Sequence, residues 1–188
     1  MLTLSIPDIE LFDNEKEEFI YVKAATLKFE NSLVSISKWE QIWCKPFPGY
    51  QTDLVAKVNK IQFTPEDFVS YLECMCITPN PDPLIFKYMP YECMVKIKNY
   101  MESPMTASKI ASQDNQKHSS KIVTNELVYF WMSSCGIPFD PCQKWHINRL
   151  LTLINIASIE NAPKKKMSTG EINSKYRALN KARRKPRK

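Results

Sequence analysis

The spacing of apolar and polar positions changes character near residue 30. Four short β-prone runs come first, over residues 2–4, 9–12, 19–22 and 26–29. A polar stretch over residues 13–17 predicts the turn between pairs of these runs. A sheet this small is marginal alone, so we expect an antiparallel β-hairpin region that packs against helices.

After residue 30, apolar residues recur at the spacing of amphipathic helices. We predict five helices, over residues 32–43, 64–77, 90–103, 124–135 and 140–157. Thr64 followed by Pro65 is a typical helix start, and Gly136 stands where a helix C-cap belongs. Asp140 followed by Pro141 predicts the start of the last and most apolar helix, which carries Trp145 and His146. Residues 79–83 and 106–120 are expected to be a proline-rich connector and a mobile polar loop.

The predicted fold is therefore α+β and predominantly helical. A small N-terminal antiparallel β-hairpin region packs on about five helices, and a basic helical tail follows. We assign residues 1–163 to a single globular domain, β-rich over 1–30 and helical over 31–163, and residues 164–188 to a basic, partly flexible tail.

The formal charge of +6 is divided very unevenly along the chain. Residues 164–188 contain eleven Lys or Arg and one acid, a net charge of +10, which leaves −4 for residues 1–163. Such a tail suits docking on an acidic protein surface, but it also fits a solvated end or non-specific nucleic-acid binding. Tyr176 is its one aromatic residue, whereas dedicated single-strand binders interleave several, so nucleic acid is the least favoured of these three interpretations of the tail.

The residues that catalysis requires are not grouped in this sequence. Three glycines exclude a glycine-rich phosphate loop, and two distant histidines exclude the H-E-x-x-H metal motif. The six cysteines form no C-x-x-C pair, so we expect reduced thiols and no metal centre. Cys135 or Cys142 beside His146 remains an alternative nucleophile pair, against the plainer interpretation of His146 as a packed core residue. We predict a protein that is not an enzyme and holds no cofactor.

Two further features bear on localisation. No stretch approaches the roughly 18 uninterrupted apolar residues that a membrane span requires, so we expect no transmembrane segment. The N-terminal residues lack a basic region followed by an apolar run, so we expect no secretory signal.

Three blocks of the sequence resemble proteins from the tail modules of tailed phages. They are residues 31–40, residues 136–151 with the pattern Ile-Pro-Phe and then Trp-His-x-Asn-Arg-Leu-Leu, and the basic stretches 163–168 and 178–184. With these blocks the chain resembles the tail assembly chaperones of long-tailed bacteriophages.

The resemblance implies a bacterial host-cytoplasm protein that acts during virion morphogenesis. It would bind the phage tape-measure protein, help to recruit the tail tube protein, and possess no enzymatic activity. Self-association is a further expectation. The alternatives are a virion structural protein, such as a tail or head completion protein, and a nucleic-acid-binding accessory protein that uses the basic tail.

Candidate partner-binding residues follow from these blocks and from the aromatic and basic positions. They are Trp39, Trp43, Trp145, His146, Arg149, Lys164, Lys165, Lys166, Arg183 and Arg184. Phe47 and the methionines at 75, 94 and 101 are further candidates for contact with an apolar client, because methionine surfaces adapt to many partners. The alternative is that Trp and Met at helical spacing form the core.

Overall fold

The computed structural model describes residues 1–14, 17–108, 121–161 and 169–183. It begins with four strands: β1 (Leu2–Ile6), β2 (Ile9–Asp13), β3 (Glu18–Val22) and β4 (Ala25–Phe29). Strand β1 pairs antiparallel with β4, and β2 pairs antiparallel with β3. The predicted hairpin region is therefore confirmed, and residues 15 and 16 of the predicted turn lie outside the described residues.

The two strand pairs form one long hairpin with an interruption at Pro7. Partner residue numbers have the same sum in both pairs, as in Leu2 with Phe29 and Ile9 with Val22, so the register continues across the break. Proline has no backbone N–H to donate to a ladder, and the register places it opposite Ala24. The Ala24 N–H donates instead to the Asp8 carboxylate at 2.7 Å.

Nine helices lie in the described ranges. They are α1 (Leu33–Trp43), α2 (Asp53–Val58), α3 (Pro65–Met75), α4 (Pro83–Lys87), α5 (Tyr91–Glu102), α6 (Asn125–Ser134), α7 (Phe139–Cys142), α8 (Ile147–Asn161) and α9 (Thr169–Arg183). The five predicted helices of the body correspond to α1, α3, α5, α6 and α8, and together with the hairpin they confirm the α+β, mostly helical fold. The short helices α2 and α4 were not predicted. The predicted mobile loop lies largely outside the described residues.

Local sequence explains most helix ends. Thr64 and Asp67 form a reciprocal capping box at the start of α3, with Pro65 in the first turn, as predicted. Ser32 and Ser35 form a second box at the start of α1. Gly136 follows α6 with φ of +68°, a conformation that side chains disfavour.

The predicted helix start at Asp140 was wrong. Asp140 has extended dihedrals, φ −97° and ψ 130°, and a cis bond joins it to Pro141. The proline ring pushes the preceding residue out of the helical region. At Asp140 this effect prevailed over the preference for proline in the first turn of a helix. Only the single turn α7 forms at this point, and α8 begins at Ile147. Trp145 and His146 therefore precede the helix on which they were placed.

The core lies between the inner face of the hairpin and the long helices. Its largest fully buried side chains include Phe29, Leu33, Trp39, Tyr71 and Met75. Helices α1 and α3 pack against each other, and α5 packs on β1. None of the helices in the described ranges has the length and apolar composition needed to cross a bilayer.

Candidate functional site

The two body blocks that carry the phage resemblance lie against each other. Ser32 and His146 form an isolated antiparallel bridge, and the Ile147 N–H donates to the Asn31 carbonyl at 2.7 Å. We call this junction of residues 31–35 with 145–148 the signature seam. It joins the start of α1 to the start of α8, so the distinctive residues of both blocks meet inside the fold.

His146 is bound by the main chain on both sides of its ring. It is 5% exposed, its Nδ1 accepts from the Asn148 N–H at 3.3 Å, and its Nε2 lies 3.0 Å from the Tyr100 carbonyl. These partners require the neutral tautomer with hydrogen on Nε2. Burial, partly offset by the Tyr100 carbonyl, lowers the pKa of His146. Because both nitrogens are occupied by backbone groups, this geometry does not support the alternative Cys–His nucleophile pair.

Asn148 closes the C-terminal end of α5. Its Nδ2 donates to the carbonyls of Met101 at 3.0 Å and Ser103 at 2.7 Å. The last carbonyls of a helix have no partner within the helix, and these bonds help to satisfy them, together with a longer bond of 3.4 Å from Asn31 Nδ2 to the Met101 carbonyl. Asn148 thus acts as a clamp between α8 and α5.

A buried hydroxyl network lies beneath the seam. Tyr71 is 0% exposed, and its hydroxyl donates to the Asn31 side chain at 2.5 Å and lies 3.4 Å from the Ser35 hydroxyl. Burial raises the pKa of Tyr71, so the phenol remains a neutral donor. The polar residues of the signature seam therefore serve first to fix how α1, α3, α5 and α8 meet.

Next to the seam lies an open apolar groove of about 580 Å³. We call it the α5–α8 groove, because Met101 of α5 and Leu151 of α8 line one side. Its other side consists of aromatic side chains, namely Phe47, Tyr50, Phe63 and Phe68. Lys98 and Glu102 stand at the rim, 3.9 Å apart and both exposed. An apolar concavity of this size falls in the range of ordinary binding sites.

The aromatic wall is held from behind by the core. Phe47 packs edge-on against Trp39 at 5.6 Å between centroids and lies 4.6 Å from Tyr71. The Glu40 carboxylate accepts from the Phe47 N–H at 2.6 Å and from the Asn125 N–H at 2.8 Å. Burial raises the pKa of Glu40, although these two hydrogen bonds oppose the effect. Glu40 thereby ties the groove wall on one side to the start of α6 on the other.

Two of the predicted partner-binding residues are buried. Trp39 is 0% exposed and packs in the core, and His146 is held in the seam. Neither side chain is available to a partner in this structure. Among the further candidates, Met75 is also buried, as expected from the alternative that Trp and Met form the core. Phe47 is 5% exposed, and it lines the α5–α8 groove.

The other predicted partner-binding residues of the body reach the surface. Trp43 is 40% exposed, and its indole N–H donates to the Ser70 hydroxyl at 2.7 Å. The exposed Arg149 guanidinium stacks on the half-buried Trp145 ring, 4.2 Å from its centroid. They are separate from the α5–α8 groove, and their role in binding stays a prediction.

The predicted tail residues fall at the limits of the structure. Lys164, Lys165, Lys166 and Arg184 lie outside the described residues, and Arg183 is the last residue of α9.

No metal centre is indicated by the part of the chain that the structure describes, since it contains no group of three or more His, Cys, Asp or Glu side chains that could hold an ion. All six cysteines are free thiols, and those at 74, 93 and 142 are buried. Burial raises the pKa of Cys74, so a smaller fraction of this thiol is in the reactive thiolate form.

Comparison with known proteins identifies no relative: no family model, no curated protein and no solved structure matches this chain. The assignment of function therefore depends on the groove, the exposed surfaces and the blocks of the sequence themselves.

Proposed function

We propose that this chain is a non-enzymatic tail assembly chaperone of a long-tailed phage. In this proposal it acts in the host cytoplasm, holds apolar helical segments of the tape-measure protein in the α5–α8 groove, and helps to bring in the tail tube protein. The observation that carries the proposal is the groove itself, an open apolar surface with aromatic walls beside the seam formed by the two family-like blocks.

The chemistry of the groove suits the side chains of an amphipathic helix. Aromatic and aliphatic walls accept Leu- or Phe-sized groups at helical spacing, the mode by which grooves bind helical peptides. Burying one such side chain contributes about 1.5–3 kcal/mol, so a client needs several anchors for stable binding. The opposite charges of Lys98 and Glu102 at the rim can orient a client helix without placing charge in the groove.

Co-expression with the tape-measure protein tests this proposal. Wild-type chain should keep the client soluble and co-purify with it. Leu151→Lys places a charge in the groove and should abolish both effects. Ile159→Lys places the same charge on the same helix at a position that is already 43% exposed and outside the groove, so it should behave as wild type. Thermal unfolding of both variants establishes that they are folded.

The outcomes separate the proposal from its rivals. A folded Leu151→Lys chain that still solubilises the client would contradict the proposed site. A wild-type chain that never solubilises the client would contradict the proposed function. Stoichiometric presence of the chain in purified particles would instead favour a virion structural protein.

A further inference from the structure

The outer half of the hairpin carries an exposed aromatic surface. Phe12, Phe19 and Tyr21 are 49%, 57% and 65% exposed. Phe12 stands opposite Phe19 in the ladder and Tyr21 opposite Glu10, so all four share one face. The ring centroids are 5.0 Å apart for Phe12 and Phe19 and 6.1 Å apart for Phe19 and Tyr21. We call strands β2 and β3 with this face the aromatic arm.

The opposite face of the arm is partly covered by the body. Val22 is buried in the core, and Ile9 and Ile20 pack against the core, whereas Leu11 on the same face is 40% exposed. The arm therefore rests on the body through Ile9, Ile20 and Val22, while its aromatic side faces solvent. A contiguous exposed aromatic patch of this kind marks an interaction surface rather than scattered surface apolar residues.

The arm is also strongly acidic. Residues 8–22 contain six acidic residues and one lysine, a net charge of −5, which exceeds the net −4 of the whole region 1–163. An acidic aromatic surface repels acidic partners and attracts a cationic partner that also offers apolar groups.

Helix α9 has the complementary chemistry. Tyr176 and Leu179 are 64% and 46% exposed, and their spacing of three residues places them on one helix face. Lys175, four residues before Leu179, lies beside that face, and Arg177 and Lys181 are exposed on the same helix. The segment 164–188 that contains α9 has a net charge of +10.

We propose that the aromatic arm of one copy of this chain binds helix α9 of a second copy. Tyr176 and Leu179 pack on the aromatic face, while Lys175, Arg177 and Lys181 pair with the acidic residues of the arm. The contact joins two different surfaces, so a pair held by one contact still has one free arm and one free helix. Association can therefore continue beyond two copies or close into a ring. The proposal does not depend on a client, and it uses surfaces outside the α5–α8 groove.

Sedimentation velocity of the full-length chain, without any client, tests the proposal. The average mass should rise with protein concentration at 0.05 M salt, and the rise should weaken at 0.5 M salt because the charges are screened (the Debye length is then roughly 4–5 Å). Phe19→Ala should weaken association by about tenfold or more, as expected for an aromatic anchor. Phe130→Ala removes an equally exposed phenylalanine from α6 and should leave association unchanged.

A mixing experiment decides whether the contact joins arm to helix. Tyr176→Glu combined with Leu179→Glu should prevent association. The Phe19→Ala chain, which binds about tenfold more weakly, should be monomeric at a concentration at which the wild-type chain begins to associate. Mixed at equal amounts, the two variants should form pairs that stop at two chains, since one supplies an intact helix and the other an intact arm. A wild-type mass that stays monomeric at every concentration, variants that associate as wild type, or a mixture that stays monomeric would each overturn the proposal. Leu151→Lys should not alter the wild-type mass, which keeps this test separate from that of the groove.

Discussion

Replacement of Asn148 by alanine should destabilise the protein by about 2–3 kcal/mol. The change removes two hydrogen bonds, to the carbonyls of Met101 and Ser103, each contributing about 1 kcal/mol, and leaves two carbonyls at the end of α5 without that donor. Asn148→Asp should cost at least as much. Aspartate in the first turn of α8 gains about 0.3–1 kcal/mol from the helix dipole, but its carboxylate would face two carbonyl oxygens without a proton to donate.

Urea denaturation followed by tryptophan fluorescence measures these differences. For a chain of this size, 2–3 kcal/mol corresponds to a fall of about 4–12 °C in Tm. Asn155→Ala is the matched control, because Asn155 lies two turns further along α8 and is exposed; it should change stability by less than about 0.5 kcal/mol. If Asn148→Ala were as stable as this control, or Asn148→Asp more stable than Asn148→Ala, the clamp between α8 and α5 would be refuted.

Two further substitutions test buried hydrogen bonds of the body, and one deletion tests the nucleic-acid alternative. Folding lowers the pKa of His146 from its ordinary 6.5, so on acidification the unfolded chain takes up the proton before the folded chain does. The free energy of unfolding should therefore fall as the pH drops below about 6.5. His146→Gln should flatten this dependence in urea titrations at a series of pH values. The two carboxylate oxygens of Glu40 accept from the Phe47 and Asn125 N–H groups, and Glu40→Gln replaces one of these oxygens with an NH₂ donor. This change should lower the free energy of unfolding at pH 7 by about 1.5–3 kcal/mol, as measured by chemical denaturation. If the basic tail binds nucleic acid, deletion of residues 164–188 should abolish DNA or RNA binding at ~150 mM salt; a full-length chain that never binds at that salt contradicts this alternative.

Local signals were sufficient to predict most of the architecture. The β-prone runs in residues 2–29 and the caps at Thr64 and Gly136 act within a few residues, so the strands and long helices could be predicted from the sequence. The prediction was wrong at Asp140 because the same dipeptide that can start a helix also forces extended backbone before proline, and only tertiary contacts decide between the two. The pairing of β1 with β4 follows from the register of the long hairpin, which continues across the break at Pro7, and alternation alone does not reveal it.

The candidate site was much less predictable. Phe47, Tyr50 and Phe63 lie between helices, where no periodicity indicates what they contact, and they form one wall only after residues distant in sequence pack together. The prediction of Trp39 as a contact residue used residue type, whereas its burial depends on α1 and α3 packing face to face. A signal for the arm was present in the alternation of Phe12, Phe19 and Tyr21 with the aliphatic residues Leu11, Ile20 and Val22, which is typical of a two-faced ribbon.

The position of the polar signature explains why distinctive residues need not be the binding residues. An apolar seam between α1, α5 and α8 would tolerate sliding, because apolar contacts are not directional. The bonds of Asn31, His146 and Asn148 have fixed directions and buried partners, so a shift of one residue would leave polar groups unsatisfied, at about 1–3 kcal/mol each. The groove lies directly beside this seam and shares Asn31, Ile147 and Asn148 with it. Fixing the seam therefore fixes the distance between the aromatic wall and α8. In the function that we propose, these polar residues act on client binding indirectly, because they set the width of the groove.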